Sequence, residues 1–253
     1  MAPGRRALVL LAMVAIAVAI EGAWLAPAAL IGPHVARTTG GVLRLADAEG
    51  TVRRGQGSMV AGAARIPIAW HVEIWPLLRG VVRLQVTSGT GAETPRATIA
   101  ASAETVAFHD VDVTIPAAAF AAALGQAVVG SVAGEVNLTA AGVELTPGSS
   151  RGEARLDWHA AHITFVGNAL PLDLGVVRAT LTAGGDALSG SIDNAGGDLA
   201  LRGEWAMRPE DGLRLALLLT PRRAGQVELA GALSAIGTAD GAGWRVDWRV
   251  PLR

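Results

Sequence analysis

Cysteine, lysine and tyrosine are absent from this sequence of 253 residues. Without cysteine, the chain has no disulfide, no thiol nucleophile, no thiolate metal site and no iron–sulfur cluster. All 21 basic residues are arginine, which excludes a phosphate-binding loop that ends in Gly-Lys-Ser/Thr and any Schiff-base lysine. The sequence is therefore that of a chain without thiol redox chemistry.

Charge is also scarce and nearly balanced. Only 17% of the residues are charged, and the formal net charge is -1. A chain with this balance has no net attraction for polyanions, so the sequence predicts no nucleic-acid partner. With 51% hydrophobic residues and 32 glycines, the chain is too apolar to be disordered and is long enough for a sizeable core.

The N-terminus carries an insertion signal. Arg5 and Arg6 precede an uninterrupted apolar run at residues 7–20, and this order places the positive end in the cytoplasm. A helix of this length spans about 21 Å, less than the roughly 30 Å of a bilayer core, so a membrane span must continue toward Ile31. The sequence predicts an N-terminal membrane anchor at residues 1–31, with the rest of the chain in the periplasm.

A cleaved signal peptide is the alternative for the same segment. Small residues alternate at 17–19 (AVA) and at 26–28 (APA), and signal peptidases cut at such sites. In both cases the remainder of the chain is exported.

Beyond Gly40 the apolar residues alternate with period two, which is typical of half-buried strands. The clearest row contains Ile66, Ile68, Trp70, Val72 and Ile74. Similar rows recur to the end of the chain and are separated by Gly, Pro, Asn or Asp. The predicted fold is mostly β, a long and mostly antiparallel sheet.

An alanine-rich stretch at residues 116–130 breaks this alternation. It opens with proline and ends at glycine, which is typical of a helix. We therefore expect one mid-chain helix at 116–130, between a first β module at 40–115 and a second at 131–253.

His109, Asp110 and Asp112 form the only compact polar cluster in the sequence. Two carboxylates on one strand face could hold calcium or act as a general acid and base, and an envelope hydrolase is a hypothesis on this basis. A solvated face opposite Val111 and Val113 explains the cluster better, because a calcium site needs six or more oxygens.

The remaining candidate residues predict no site. His159 and His162 are three apart, so on a regular strand they point to opposite faces unless a bulge intervenes. Ser58 and Ser234 lack the Gly-x-Ser-x-Gly context of a nucleophile elbow. We predict no catalytic residue, no cofactor and no metal.

Tryptophan is the dominant aromatic residue, with seven Trp against three Phe. Exposed tryptophans could form a lipid or sugar platform. Core packing is the better interpretation here, because four of them fall on the apolar side of their rows: Trp70, Trp158, Trp205 and Trp248.

The order of these features resembles the type II secretion system protein N family, also called general secretion pathway protein N. The resemblance covers most of the chain through short segments: 24–28 (WLAPA), 43–51 (LRLADAEGT), 68–70 (IAW), 76–80 (PLLRG), 116–117 (PA) with Leu124, and 196–205 (GGDLALRGEW). One departure is visible, because the family tends to place tryptophan just after the Gly-Thr pair, where this chain has Val52.

The resemblance implies a non-enzymatic accessory of type II protein secretion in the cell inner membrane, with other secretion proteins as partners. A sheet with available edges also offers surfaces for strand addition by partners or by a second copy of the chain. The rival hypothesis is an envelope lipid-handling or membrane-biogenesis protein, because the short patterned strands resemble those of AsmA-like proteins. It predicts a bound lipid and an apolar face that is left partly uncovered.

Overall fold

The computed structural model describes residues 25–62, 64–88, 96–123, 129–165, 171–208, 210–223 and 227–250. Within these residues the chain forms fifteen strands in one sheet. In the same described ranges, three α-helices and two short 3₁₀ helices, Ala28–Leu30 and Trp75–Arg79, accompany the sheet. The predicted mostly-β fold is confirmed.

The sheet follows the chain almost without crossing, and every strand pair is antiparallel. The order is β1 to β7, then β9 to β13, then β15 and β14, with β8 beside β6 and β9. The strands are β1 Leu43–Gly50, β2 Arg54–Ala61, β3 Ala64–Glu73, β4 Val82–Ser88, β5 Arg96–Ala101, β6 Val106–Pro116, β7 Val129–Ala140, β8 Val143–Thr146, β9 Ser149–Phe165, β10 Leu172–Gly185, β11 Ala187–Ala195, β12 Leu199–Arg208, β13 Gly212–Pro221, β14 Thr238–Asp240 and β15 Gly243–Val250.

The predicted apolar row of β3 is confirmed over four of its five residues. Ile66, Ile68, Trp70 and Val72 alternate with more exposed neighbours along the strand. Ile74 was placed in this row incorrectly. Its backbone turns helical, with φ -81° and ψ -42°, and it caps the 3₁₀ helix Trp75–Arg79, so it lies beyond the end of the strand.

The helices are α1 (Ile31–Thr38), α2 (Ala117–Ala123) and α3 (Val227–Ile236). The mid-chain helix predicted at 116–130 is confirmed as α2, while residues 124–128 lie outside the described part. Its predicted end is wrong, because Val129 already belongs to β7. The sequence did not predict α1 or α3.

The sheet itself is continuous past α2. β6 and β7, the strands on either side of this helix, pair from Val111 opposite Ala140 to Pro116 opposite Glu135. Strands from 40–115 and from 131–253 therefore belong to one sheet, and the division into two modules stays a prediction.

Most of the predicted membrane anchor, residues 1–24, lies outside the described part of the chain. Pro27 is extended, with ψ 138°, and forms an antiparallel bridge with Thr51. The predicted continuation of a membrane helix toward Ile31 is therefore wrong over this stretch. None of the helices in the described ranges has the length and hydropathy needed to cross a bilayer.

The main core lies where α3 packs on the apolar face of the sheet. Leu233 of α3 is buried there against Leu199, Leu219 and Val246. α2 covers a second part of the structure: it contacts β2, β3, β6 and β7, and its Ala117 and Ala119 are buried. The two helices thus cover separate regions.

Antiparallel order places successive turns alternately on two long rims of the sheet. We call the first part of the rim where the described chain begins the N-terminal rim, and it comprises residues 25–27, 51–53, 74–82 and 101–106. A hydrogen bond from the Val52 amide to the Ala26 carbonyl, 2.9 Å long, joins the first two of these segments. The opposite rim carries α2 and α3, which follow the ends of β6 and β13.

Candidate interaction surfaces

The cluster of His109, Asp110 and Asp112 lies on β6 at a bulge. Asp110 has a φ of 49°, and the pairing of β6 with β5 shifts register here. Asp110 and Asp112 are both exposed, and Asp112 accepts a 3.1 Å hydrogen bond from the Asn137 side chain. The carboxylates therefore lie on a solvated surface, as the sequence favoured.

His159 and His162 also flank a bulge, at Ala160, whose φ is 47°. Trp158 and Ala161 on either side of it both belong to the core, so the two histidines share the opposite face of β9. The sequence had left this arrangement conditional on a bulge. Nevertheless, no group of three or more His, Asp or Glu in the described ranges could hold a metal ion.

The two candidate serines have structural roles. Ser58 is half-buried within β2, opposite Pro67 of β3. The Ser234 hydroxyl donates to the Ala230 carbonyl at 2.8 Å and accepts a 3.2 Å bond from the Trp244 indole. Neither serine lies at a strand-to-helix elbow.

The tryptophans of the apolar face pack on glycines of the neighbouring strand. Trp70 lies opposite Gly55, and Trp205 lies opposite Gly190. Three indole N–H groups donate to backbone carbonyls: Trp70 to Val52 at 3.2 Å, Trp158 to Ala133 at 3.0 Å and Trp205 to Thr180 at 3.1 Å. Trp70 is buried, while Trp158 and Trp248 pack against the core. The predicted core packing is confirmed for Trp70, Trp158 and Trp248, whereas Trp205 is half-buried and lies outside the main core cluster.

The polar face of the sheet contains two large clefts. One, of about 1180 Å³, is lined by residues of both charges from β4 to β10, among them Arg96, Asp110, Asp112, Glu153 and Arg155. Two arginines and three carboxylates line it, so this cleft has no single dominant sign of charge. Its composition suits contact with a protein surface better than binding of a polyanion.

The second cleft, of about 970 Å³, lies across β11 to β15. Its lining includes Arg202, Glu204 and Arg245, so its charge is also mixed. The Asp240 carboxylate accepts a 2.7 Å hydrogen bond from Arg245, and this bond raises the pKa of the guanidinium. Arg245 is therefore paired with a carboxylate beside the edge of the sheet.

Apolar side chains on the apolar face of the sheet differ in how deeply they are buried. Leu138 of β7 lies on this face, opposite Val113 and Leu156, and is 36% exposed. Where α3 covers the sheet, Leu199 of β12 and Leu233 of α3 are almost wholly buried. Leu138, near the end of β7, is therefore an accessible position on this face, although Val136 in the same row is buried.

The two edges of the sheet differ. β1 is packed against α1 and the first 3₁₀ helix. At the other edge, β14 pairs with only three residues of β15, from Gly243 to Arg245. In the described part of the chain no strand pairs with the outer side of β15 at residues 246–249, which we call the open edge. An unpaired edge is a surface on which another chain can add a strand.

Sequence comparison identifies one family. Residues 42–246 match the family described as type II secretion system (T2SS), protein N. No curated protein and no solved structure matches the chain.

Proposed function

Because the chain belongs to the type II secretion system protein N family, we propose that it is a non-enzymatic accessory of type II protein secretion, held in the inner membrane with its sheet in the periplasm. The match over residues 42–246 carries this proposal, because it includes nearly the whole sheet. The proposal adds two statements about this chain to the family's role in secretion: its location in the inner membrane and its contacts with other proteins.

The location is supported by the N-terminal sequence. Arg5 and Arg6 precede the apolar run at 7–20, the order that orients a membrane segment with its basic end in the cytoplasm. In this arrangement the sheet follows the anchor on the periplasmic side. The described chain begins at Leu25, only a few residues after that run.

The contact with other secretion components is proposed at the open edge. Its backbone is available for strand pairing, and Asp247 and Arg249 are exposed beside it. Charged residues on an edge strand discourage indiscriminate self-association. The open edge therefore favours a partner with complementary charge over a second copy stacked at random.

Site-specific photo-crosslinking in cells tests this contact. We expect a photoreactive residue in place of Arg249 to form adducts with another secretion component, because position 249 lies on the open edge. Asp186 is the control position, since it is equally exposed but lies in the turn between β10 and β11. Adducts of equal yield at both positions, or none at position 249, would contradict the proposed edge contact.

A non-enzymatic role makes a prediction about the acidic cluster. We expect the double variant Asp110→Ala/Asp112→Ala to secrete as the unchanged chain does, since both carboxylates are solvated and solvated surface groups contribute little to stability. The measurement is complementation of a deletion strain, with thermal unfolding of the purified variant as the control for folding. A normally folded variant that fails to complement would favour a catalytic role.

Lipid handling is a second candidate, and one observation favours it. Leu138, near the end of β7, is 36% exposed on the apolar face, where an acyl chain could bury hydrophobic area. The two candidates differ in the expected phenotype of a deletion strain, because lipid handling predicts a leaking outer membrane with normal secretion.

A further inference from the structure

Exposed apolar side chains concentrate on the N-terminal rim. Among the described residues eight large apolar side chains are exposed, and five of them lie on this rim: Leu25, Ile74, Trp75, Val82 and Val106. Trp75 is 81% exposed and Leu25 is 73% exposed, more than any other large apolar residue in the described ranges. A cluster of this kind marks a surface that meets a protein or a membrane.

Pairing along the sheet brings these residues onto one continuous border. The Ala26 carbonyl accepts from Val52, and the Arg53 carbonyl accepts from Val72 at 2.8 Å. Farther along, Val82 lies opposite Ala101, which in turn lies opposite Val106. Six adjacent strands span about 24 Å, so the rim presents a ridge rather than a single side chain.

Trp75 lies in a backbone turn at the rim. It opens the 3₁₀ helix Trp75–Arg79, with Pro76 next in the chain, and Gly80 ends this helix with a φ of 74°. The Gly80 amide donates to Leu77 at 2.9 Å, and the Val81 amide donates to Pro76 at 3.1 Å. The hydrogen-bonded turn therefore fixes the backbone position from which the indole extends into solvent.

The charges beside Trp75 suit a phospholipid surface. Arg53 and Arg79 are exposed on the same rim, and neither forms an ion pair with a described residue. The nearby Glu73 accepts a 2.6 Å hydrogen bond from Gln85 and lies 3.5 Å from Arg83. Tryptophan with adjacent arginine is the combination found where protein meets the headgroup layer.

The short stretch of sequence between the apolar run and the N-terminal rim favours the membrane as the surface that this rim contacts. Only four residues separate the apolar run at 7–20 from Leu25, and five extended steps reach at most about 18 Å. Once that run is inserted in a bilayer, Leu25 at the start of the N-terminal rim must lie close to the headgroups. A protein partner is not subject to this constraint.

We propose that the N-terminal rim lies on the headgroup layer of the membrane that holds the N-terminal segment, with Trp75 inserted at the interface. This inference rests on the anchoring in the proposed function. It assigns an orientation to the sheet: the N-terminal rim faces the lipid, and the opposite rim with α2 and α3 faces away.

The absence of cysteine makes a single-site probe practical. We would reconstitute the full chain in vesicles of phosphatidylethanolamine and phosphatidylglycerol, with an environment-sensitive fluorophore on Trp75→Cys or Val82→Cys. The matched control is Leu218→Cys, an exposed apolar position on β13 that lies outside the N-terminal rim. Thermal unfolding of each labelled variant verifies that it is folded.

The expected result is emission shifted to shorter wavelength at positions 75 and 82. Quenching by lipids with a spin label near the headgroup should be severalfold stronger there than at position 218. Flotation of the vesicles tests the membrane anchoring separately from the contact of the rim with lipid. If the chain floats with the vesicles while both rim labels report water, the membrane contact of the rim is wrong and the anchoring stands.

Two other outcomes also overturn the inference. A chain that does not float with the vesicles contradicts both the anchoring and the rim contact. Rim labels that become shielded only after other secretion components are added would show that the N-terminal rim binds protein instead of lipid.

Discussion

Replacing Leu233 with alanine is expected to lower the free energy of unfolding by about 2–5 kcal/mol. Leu233 is 0% exposed and joins α3 to the sheet at the centre of the main core. Truncation removes its contacts with Leu199 and Val246 and leaves a cavity that a packed sheet fills poorly. A loss of this size is a large fraction of the stability of a typical domain.

The measurement is denaturant unfolding of the full chain in detergent, followed by circular dichroism. Leu218→Ala is the matched control, because Leu218 is the same residue type on β13 but is 41% exposed. We expect the control to change the free energy of unfolding by no more than about 0.5 kcal/mol. Equal losses in the two variants would show that α3 does not hold the core together.

The second large effect is expected for Gly190→Ala. A methyl group at this position would overlap with the Thr180 carbonyl and would lie 2.7 Å from the Trp205 indole nitrogen. Because these are the donor and the acceptor of one hydrogen bond, the substitution forces apart both the backbone and the tryptophan. Overpacking of this kind costs about 1–3 kcal/mol, and more where backbone is displaced.

Gly184→Ala provides the control for this substitution. Gly184 belongs to β10, has an ordinary φ, and nothing lies within 4 Å of an added Cβ. Its replacement should leave the unfolding midpoint unchanged or slightly raised, since alanine restricts the unfolded chain. If both variants unfold at the same denaturant concentration, the Gly–Trp contact is not a structural requirement.

Alternation in the sequence predicted the sheet well, and it was least informative at bulges. Asp110 and Ala160 adopt positive φ, which shifts the side-chain phase by one residue. His109 and Asp112 are an odd number apart, yet they pair with Thr98 and Arg96, which are two residues apart on β5 and share one face. The sequence shows that the alternation of apolar and polar residues is interrupted, but it does not show whether a bulge or a turn interrupts it. The histidine pair could be placed on one face only from the structure.

The helices were predicted unevenly for a physical reason. α2 follows a proline and interrupts a strand pattern, so it stands out in the sequence. α3 consists almost wholly of small and apolar residues, which gives its two sides little contrast. α1 begins at Ile31, inside the segment that was assigned to the anchor, because hydropathy alone does not reveal the extended turn at Pro27.

The interaction surfaces could be predicted only in general terms. Any open sheet has two edges, so the sequence could predict that edges would be available. The location of the open edge on β15 depends on how far β14 extends, and only the structure shows this. Likewise, the sequence placed Ile74 in a buried row, and the turn at the end of β3 moved it to the N-terminal rim. The residue at which a strand ends, and the length over which its neighbour pairs with it, depend on tertiary packing and are not visible in a local pattern.

The most direct test of the account is deletion of the gene, with comparison of proteins in the culture medium and in the periplasm. Outer-membrane permeability is measured in the same cells, and a plasmid-borne copy of the gene serves as the control. A secretion accessory predicts that folded exoproteins disappear from the medium and accumulate behind an intact outer membrane. Normal secretion with a leaking outer membrane would contradict the secretion role and favour lipid handling.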